Sequence, residues 1–289
     1  MILQKYQGTI APQLIIINEK DTPEPEISKK KQVPPKMAKP VNIEVPAATD
    51  SSAINRFFSE ANIKITSKSM PTSEDILFLV NAIAESLPRA ESFLHVLRKS
   101  CTGDHRFCYP LKSATADERE TIQKLAETMR ACGVFSDILL KSTSISGTLS
   151  GSSRVMNFIS GIWLELYSQQ KALAVVRSFA EAKGLKHEFY CNLKAEDKSG
   201  IRHEVDLMFS VGDKVFGAEI KSGVNFFDYD KYRITAEWMH LIPDRFILLN
   251  STLVNHSEAK CISYFYQYYI SNLASFEQTL NEMLTKAFE

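Results

Sequence analysis

Two short apolar runs with charged residues set inside them constrain the fold of this chain most. Residues 203–223 read HEVDLMFSVGDKVFGAEIKSG, in which the runs 205–211 and 215–220 are joined by Gly212-Asp213-Lys214. This pattern predicts a β-hairpin with a tight turn between two buried strands. Charged residues interrupt the runs at the open end of the hairpin; they are Asp206, Glu219 and Lys221. Charges inside buried strands need a structural or chemical reason.

The spacing of these three residues predicts a shared site. Side chains alternate faces along a strand, so Glu219 and Lys221 point to one side, and Asp206 can project beside them from the neighbouring strand. Carboxylate oxygens are the ligands that Mg²⁺ prefers, and one or two of them hold it beside a phosphate. We expect Asp206 and Glu219 to bind Mg²⁺ or Mn²⁺, and Lys221 to stabilise charge on a phosphoryl group. The alternative is an ordinary hairpin whose Glu219–Lys221 pair is solvated.

A third carboxylate lies in an apolar helical pattern upstream. Residues 154–183 carry apolar side chains at helical spacing, and Gly184 follows as a stop. Within this run, residues 161–167 read GIWLELY, so Glu165 is flanked by Leu164 and Leu166. The carboxylate lies either on the exposed face or turned inward to meet partners.

Asp206, then Glu219-Ile220-Lys221, resembles the D…(D/E)-x-K core of restriction-endonuclease-like PD-(D/E)xK nucleases. Gly-x-Trp-Leu-Glu at 161–165 followed by the hairpin is similar, more closely, to the nuclease domain of CRISPR ancillary nucleases. That family pairs a CARF sensor of cyclic oligoadenylates with a restriction-like nuclease. The resemblance covers residues 119–222 and implies that Asp206, Glu219 and Glu165 are metal ligands and that Lys221 is the catalytic lysine.

The sequence as a whole predicts three parts in this chain, residues 1–50, 51–150 and 151–289. Residues 21–46 hold six of the eleven prolines and a Lys29-Lys30-Lys31 cluster, so we expect residues 1–50 to be a flexible Pro/Lys-rich segment. That segment is too short to be a CARF domain. Residues 51–150 predict a mainly helical domain, in which Pro88 breaks a helix capped by Ser73. The final helix of this part, the short apolar stretch and the polar loop at 142–153 are compatible with a winged-helix module or a small helical bundle.

Residues 151–289 predict the nuclease domain. Helix, three or four strands and helix give an α/β fold, a restriction-endonuclease-like core with a mixed central sheet flanked by helices. Lys231, Tyr232 and Arg233 form a basic-aromatic cluster just after the hairpin, which predicts either contacts with nucleic acid or the surface of a helix. Glu204 is a further candidate ligand or a solvated charge. His203 and His240 are candidate bases or structural histidines.

Composition limits the setting. There are 34 basic and 34 acidic residues, so a protein that coats nucleic acid non-specifically is disfavoured, whereas a local basic groove is not. Five scattered cysteines fit reduced thiols, and neither a membrane span nor a leader is evident. We therefore expect a cytoplasmic protein.

The sequence predicts a metal-dependent endonuclease that hydrolyses DNA, with RNA as an open alternative. The resemblance implies a role in defence against phage or mobile elements and a homodimer. It leaves regulation open between control by a separate regulatory or sensor protein and binding of a regulator by the N-terminal region. Two other readings remain. One is a transposon- or restriction-type endonuclease, although residues 51–150 lack a basic recognition stripe. The other is a non-catalytic nucleic-acid-binding or adaptor protein on the same fold.

Overall fold

The computed structural model describes residues 52–70, 76–222, 228–241 and 244–289. The predicted N-terminal segment 1–50 and the predicted helix cap Ser73 lie outside these residues. Among the described helices, none has the length and apolarity that crossing a membrane requires.

The described residues form nine strands and eight helices. The strands are β1 (Ile63–Ser69), β2 (Arg106–Pro110), β3 (Phe135–Leu140), β4 (Ser144–Leu149), β5 (His187–Asp197), β6 (Arg202–Val211), β7 (Lys214–Lys221), β8 (Phe246–Asn250) and β9 (Tyr269–Ser271). The helices are α1 (Ala53–Glu60), α2 (Leu77–Lys99), α3 (Ala116–Ala131), α4 (Ser153–Asn157), α5 (Trp163–Lys183), α6 (Tyr229–Trp238), α7 (His256–Tyr266) and α8 (Phe276–Ala287). A kinked turn, Phe158–Ile162, joins α4 to α5, and the backbone at Gly161 within it is not helical.

A mixed six-stranded sheet is the framework of the molecule. Its spatial order is β1-β5-β6-β7-β8-β9; the first four strands pair antiparallel, and β8 and β9 run parallel to β7. The predicted hairpin is confirmed: β6 and β7 are joined by a turn in which Gly212 has a φ of +60°, a backbone conformation that favours glycine. The α/β fold class, with a mixed sheet flanked by helices, is confirmed as well.

The edge strand of this sheet comes from the segment that the sequence assigned to the helical region. β1 pairs with β5, and α1 buries Ile54 and Phe58 in the same apolar layer as Val205 and Val215 of the hairpin. The Glu188 carboxylate on β5 accepts three hydrogen bonds from the start of α1. The donors are the Ser52 hydroxyl and the backbone N–H groups of Ala53 and Ile54. Residues 53–69 are therefore part of the main sheet.

Residues 76–149 contain more strand than the sequence suggested. β2, β4 and β3 form a three-stranded antiparallel sheet, in that order, beside α2 and α3. The apolar stretch and polar loop after α3 are the two strands of a hairpin, because the loop residues Ile145 and Leu149 point inward and are fully buried. The winged-helix assignment stays a prediction.

The expectation that Pro88 ends a helix is wrong. α2 runs without interruption from Leu77 to Lys99 with Pro88 inside it. A proline inside a helix costs one backbone hydrogen bond and some strain. Apolar residues on both sides of Pro88, including Ile83 and Phe93, are fully buried in one core, so packing holds the two halves in a single helix.

Two apolar layers cover the two faces of the main sheet. One layer includes α2, α3, α5 and α8, and it extends without a break from Leu125 of α3 to Trp163 and Phe209. The other includes α1 and α6. The open ends of β6 and β7 lie between these layers, which gives the site access to side chains from both.

Candidate active site

The hairpin strands separate where the predicted site begins. The ladder between β6 and β7 ends at the pair Leu207–Ala218. One residue further, the Asp206 carboxylate accepts a hydrogen bond of 2.7 Å from the backbone N–H of Ile220. A side chain thus satisfies a strand N–H that a neighbouring backbone carbonyl would otherwise pair with. This contact fixes Asp206 at the mouth of the gap between the strands.

Lys221 lies between the two hairpin carboxylates. Its Nζ is 2.7 Å from Glu219 Oε2 and 3.4 Å from Asp206 Oδ2. The Glu219 side chain is only 5% exposed, Asp206 14% and Lys221 29%. The alternative of a solvated ion pair is therefore wrong, because the pair is largely shielded from water.

Burial and charge set the protonation of this trio. Burial and the Asp206 charge raise the pKa of Glu219 well above its usual range, against the opposing pull of Lys221. Burial disfavours the charged form of Lys221, but the charges of Asp206 and Glu219 outweigh burial and raise its pKa. Lys221 is therefore an ammonium at neutral pH, suited to stabilising negative charge and unsuited to accepting a proton.

Glu165 is turned inward from the first turn of α5. The residue is half-buried, and burial together with the charge of Asp206 raises the pKa of its carboxyl to about 7, while Lys221 acts in the opposite direction. Of the two predicted environments, the structure selects the inward one.

The donor set of this site fits a hard divalent cation. Asp206 and Glu219 offer carboxylate oxygens at one mouth, and Mg²⁺ needs only one or two protein carboxylates because it keeps several waters. Within residues 52–70, 76–222, 228–241 and 244–289, no three His, Cys, Asp or Glu side chains lie close enough to hold an ion jointly. Ligation by Glu165 as a third ligand therefore stays a prediction.

The basic-aromatic cluster on α6 is divided by the structure. Tyr232 is 93% buried, with the Lys221 ammonium 5.4 Å from its ring centroid, so it cannot offer a free face to a base. Arg233 forms ion pairs with Asp230 and Glu237 on its own helix. Lys231 is exposed, and the prediction that Lys231 and Arg233 contact nucleic acid stays open.

The remaining candidates have structural surroundings. The His203 ring packs on Trp238 with centroids 4.4 Å apart, and burial lowers its pKa, which fits a structural histidine. Glu204 is exposed and paired with Lys194 at 3.2 Å. His240 is exposed in the turn after α6.

Sequence reasoning missed two neighbours of the site. The buried Asn250 at the end of β8 pairs in register with Lys221 and donates a hydrogen bond to the Tyr229 hydroxyl. The Cys191 thiol on β5 is buried, and burial and the charges of Asp206 and Glu165 raise its pKa to about 12. A polar residue that ends an apolar run was the available signal for Asn250; nothing comparable marked Cys191.

Solved structures share this fold at low sequence identity. No family model matches the chain, and no curated protein matches it by sequence. Can2 from Sulfobacillus thermosulfidooxidans, solved in complex with cyclic tetra-adenylate, aligns with a TM-score of 0.55 and 14% identity over 82% of this chain and 61% of Can2. The protein VC1899 from Vibrio cholerae aligns with a TM-score of 0.52 and 13% identity over 80% of this chain and 60% of that protein. The chain shares their fold.

This chain spans about three fifths of the length of each of these two structures. Identities of 13% and 14% establish a common fold and leave activity to be argued from the site.

Proposed function

We propose that this protein is a metal-dependent endonuclease of the PD-(D/E)xK type. The observation that carries the proposal is the shielded trio Asp206, Lys221 and Glu219 at the point where β6 and β7 separate. Holding two carboxylates and an ammonium together in a partly desolvated gap between strands costs free energy. Such arrangements are concentrated at functional sites.

Each residue of the candidate site has a separate role in the proposed hydrolysis. In the reaction, a bond forms between a water oxygen and phosphorus, and the bond from phosphorus to one ester oxygen breaks. Asp206 and Glu219 would hold Mg²⁺ or Mn²⁺, which when bound polarises the phosphoryl oxygens and makes a bound water more acidic. The Lys221 ammonium stabilises the negative charge that builds on the phosphoryl oxygens. The Ile220 N–H keeps Asp206 oriented at the mouth.

The order of elements around the trio supports this assignment. α5, β5, β6, β7, α6 and β8 follow one another, with an antiparallel three-strand unit and a parallel strand added after the crossover helix. The preceding helix, α5, carries Glu165 in its first turn, which supports the proposal that Glu165 belongs to the site. The sequence predicted a helix, three or four strands and a helix, as in a restriction-endonuclease-like core.

The biological setting is part of the proposal. Can2 was solved with a cyclic oligoadenylate, the class of signal that activates the family this sequence resembles. We infer a defence role against phage or mobile elements, with DNA as substrate and RNA as the alternative. We further propose a cytoplasmic homodimer, regulated by a separate sensor protein.

The deciding experiment is cleavage of supercoiled plasmid, single-stranded DNA and RNA with Mg²⁺ or Mn²⁺, with and without chelator. We expect metal-dependent cutting by the wild type and a loss of at least ~100-fold in Lys221→Ala, since removing one group that stabilises transition-state charge costs about 10²–10³. The matched control is Lys124→Ala, an exposed lysine on α3. Equal rates for the wild type and Lys221→Ala would refute the proposed role.

A non-catalytic adaptor is the second candidate. It is favoured by the absence, among the described residues, of a ready three-ligand group and by the ammonium lying between the carboxylates. Calorimetric titration of Mn²⁺ into the wild type and Asp206→Ala separates the two candidates. Binding that Asp206→Ala abolishes supports the nuclease; no binding by either protein supports the adaptor.

A further inference from the structure

The helix that carries Glu165 is interrupted just before the site. α4 ends at Asn157, a kinked turn, Phe158–Ile162, follows, and α5 begins at Trp163. The kink is at Gly161, whose backbone is not helical. An α-helix turns about 100° per residue, so the direction in which α5 leaves the kink sets where Glu165, one helical turn later, faces.

Gly161 in this turn lies against the strand that carries the lysine. A Cβ added at Gly161 would lie 3.0 Å from Ser222 Oγ, closer than non-bonded atoms tolerate without movement. Ser222 directly follows Lys221 in the chain, and its hydroxyl donates a 3.4 Å hydrogen bond to the Ser160 carbonyl. The backbone at Gly161, just before α5, therefore lies against the side chain of Ser222, just after β7. Position 161 carries only hydrogen, which allows this close approach.

The opposite side of the turn is held by α2. The Cys101 thiol, just beyond the end of α2, lies 3.7 Å from the Met156 carbonyl and 3.5 Å from the Leu97 carbonyl. Burial raises the pKa of this thiol, against a hydrogen bond with the Ser160 side chain. Phe158 and Ile159 of the turn are buried in the core. The turn is thus also anchored by contacts other than Ser222, so a new group at position 161 makes the Ser222 hydroxyl, the strand end or α5 move.

We propose that Gly161 is a positioning residue of the candidate site, required because its missing side chain lets α5 rest on Ser222 with Glu165 facing Asp206 and Lys221. This inference rests on the proposed function, since it assumes that Glu165 and Lys221 act together. Gly161 touches neither a ligand nor the reacting atoms; it acts through the relative placement of α5 and β7.

The test is a steric rescue. Gly161→Ala, Ser222→Gly and the double variant are compared with the wild type for Mn²⁺ affinity by calorimetry, plasmid cleavage and thermal unfolding. We expect Gly161→Ala to weaken metal binding and cleavage by about 10-fold or more, the range typical of residues that orient metal ligands. The double variant should return to within about threefold of Ser222→Gly, because removing the hydroxyl makes room for the new methyl group.

Gly151→Ala is the matched control, since a Cβ there meets nothing within 4 Å. Wild-type binding and cleavage by Gly161→Ala would overturn the inference. So would a double variant as impaired as Gly161→Ala while Ser222→Gly is active. If Gly161→Ala fails to fold, restoration of folding and metal binding in the double variant supports the contact, and failure of both variants overturns it.

The wild-type protein separates this inference from the proposed function. If the wild type binds metal and cuts, and Gly161→Ala does so equally well, the role of Gly161 is refuted and the proposed function is not. No metal binding by the wild type sinks the proposed function, whatever the variants do.

Discussion

At the scale of single residues, the candidate site holds negative charges in conditions that oppose them. Glu165 is half-buried within reach of the Asp206 charge, and its carboxyl has a pKa of about 7 instead of 4.5. The fold therefore favours the neutral acid. The stability that this preference contributes is fully present below about pH 4.5 and is lost as the pH rises through about 7.

Glu165→Gln should therefore stabilise the metal-free protein at alkaline pH. We expect the melting temperature at pH 8, in chelator, to rise by several degrees. One pKa unit corresponds to about 1.4 kcal/mol, solvent screening reduces this value because the side chain is only half-buried, and each kcal/mol is worth roughly 2–4 °C in chains of about 150–250 residues. At pH 4.5 the gain should vanish. The same variant should bind Mn²⁺ more weakly.

Glu127→Gln is the control for this prediction, because Glu127 is an exposed glutamate on α3. Thermal scans of both variants from pH 4.5 to 8 provide the measurement. An unchanged pH dependence in Glu165→Gln would mean that Glu165 is charged and solvated in the metal-free protein.

The Tyr232 ring lies beside the Lys221 ammonium. The ring centroid is 5.4 Å from the ammonium nitrogen in a partly desolvated site, where such an interaction is worth about 1–2 kcal/mol. Tyr232→Leu should lower the cleavage rate by roughly 10-fold at saturating metal, whereas Tyr232→Phe, which keeps the ring, should lose less. Single-turnover cleavage measures this. Tyr264→Leu is the control, since Tyr264 is exposed; a Tyr232→Leu rate equal to that of the control contradicts the interpretation.

At the scale of elements, the N-terminal helix and strand belong to the main sheet. α1 buries Phe58 in the layer that also contains Val205 and Val215, and β1 closes the edge beside β5. Covering this edge also removes unpaired N–H and C=O groups of β5 from solvent. The sheet that supports Asp206 thus depends on residues more than 130 positions away in sequence.

Phe58→Ala should accordingly destabilise the whole sheet. We expect a loss of about 3–5 kcal/mol in the free energy of unfolding, the usual cost of emptying a buried phenylalanine site. Phe78→Ala is the matched control, because Phe78 is exposed and should change stability by less than about 0.5 kcal/mol. Urea unfolding followed by circular dichroism measures both. Similar midpoints for the two variants would show that α1 is not part of the cooperative core.

At the scale of the whole molecule, residues 76–149 and the main sheet share one apolar layer. Leu125 of α3 and Trp163 of α5 belong to the same continuous cluster, and α2 packs on α5. Two parts with a common core unfold together, since neither can expose its share of the layer without exposing the other. The described residues of this chain should therefore behave as one cooperative unit.

Leu125→Ala should lower a single unfolding transition. Leu125 is buried, and emptying its site costs about 2–5 kcal/mol. The two tryptophans, Trp163 and Trp238, both lie outside residues 76–149, so their fluorescence reports on the main sheet. We expect calorimetry and fluorescence to shift together by several degrees, with Leu139→Ala, an exposed leucine of β3, unchanged. Two calorimetric peaks, of which only one moves, would contradict a shared core.

The sequence by itself determined the hairpin and the charged residues at its open end. Alternating apolar residues, a Gly-Asp turn and charges at fixed spacing are local features, and local geometry translates them directly into strands, faces and a shared edge. For this reason Asp206, Glu219 and Lys221 were predicted together, and the structure does bring them together.

Only the tertiary structure decided what lies across from that edge. The origin of β1, the continuation of α2 through Pro88, the burial of Tyr232 beneath Lys221 and the contact of Gly161 with Ser222 are all absent from local pattern. Each depends on packing between segments far apart in sequence, and packing outweighs the local preferences of proline, tyrosine or a strand-forming run. The positions of the charged residues could be predicted from the sequence. Their shielding from water, which makes them a candidate active site, requires both apolar layers to pack on the sheet.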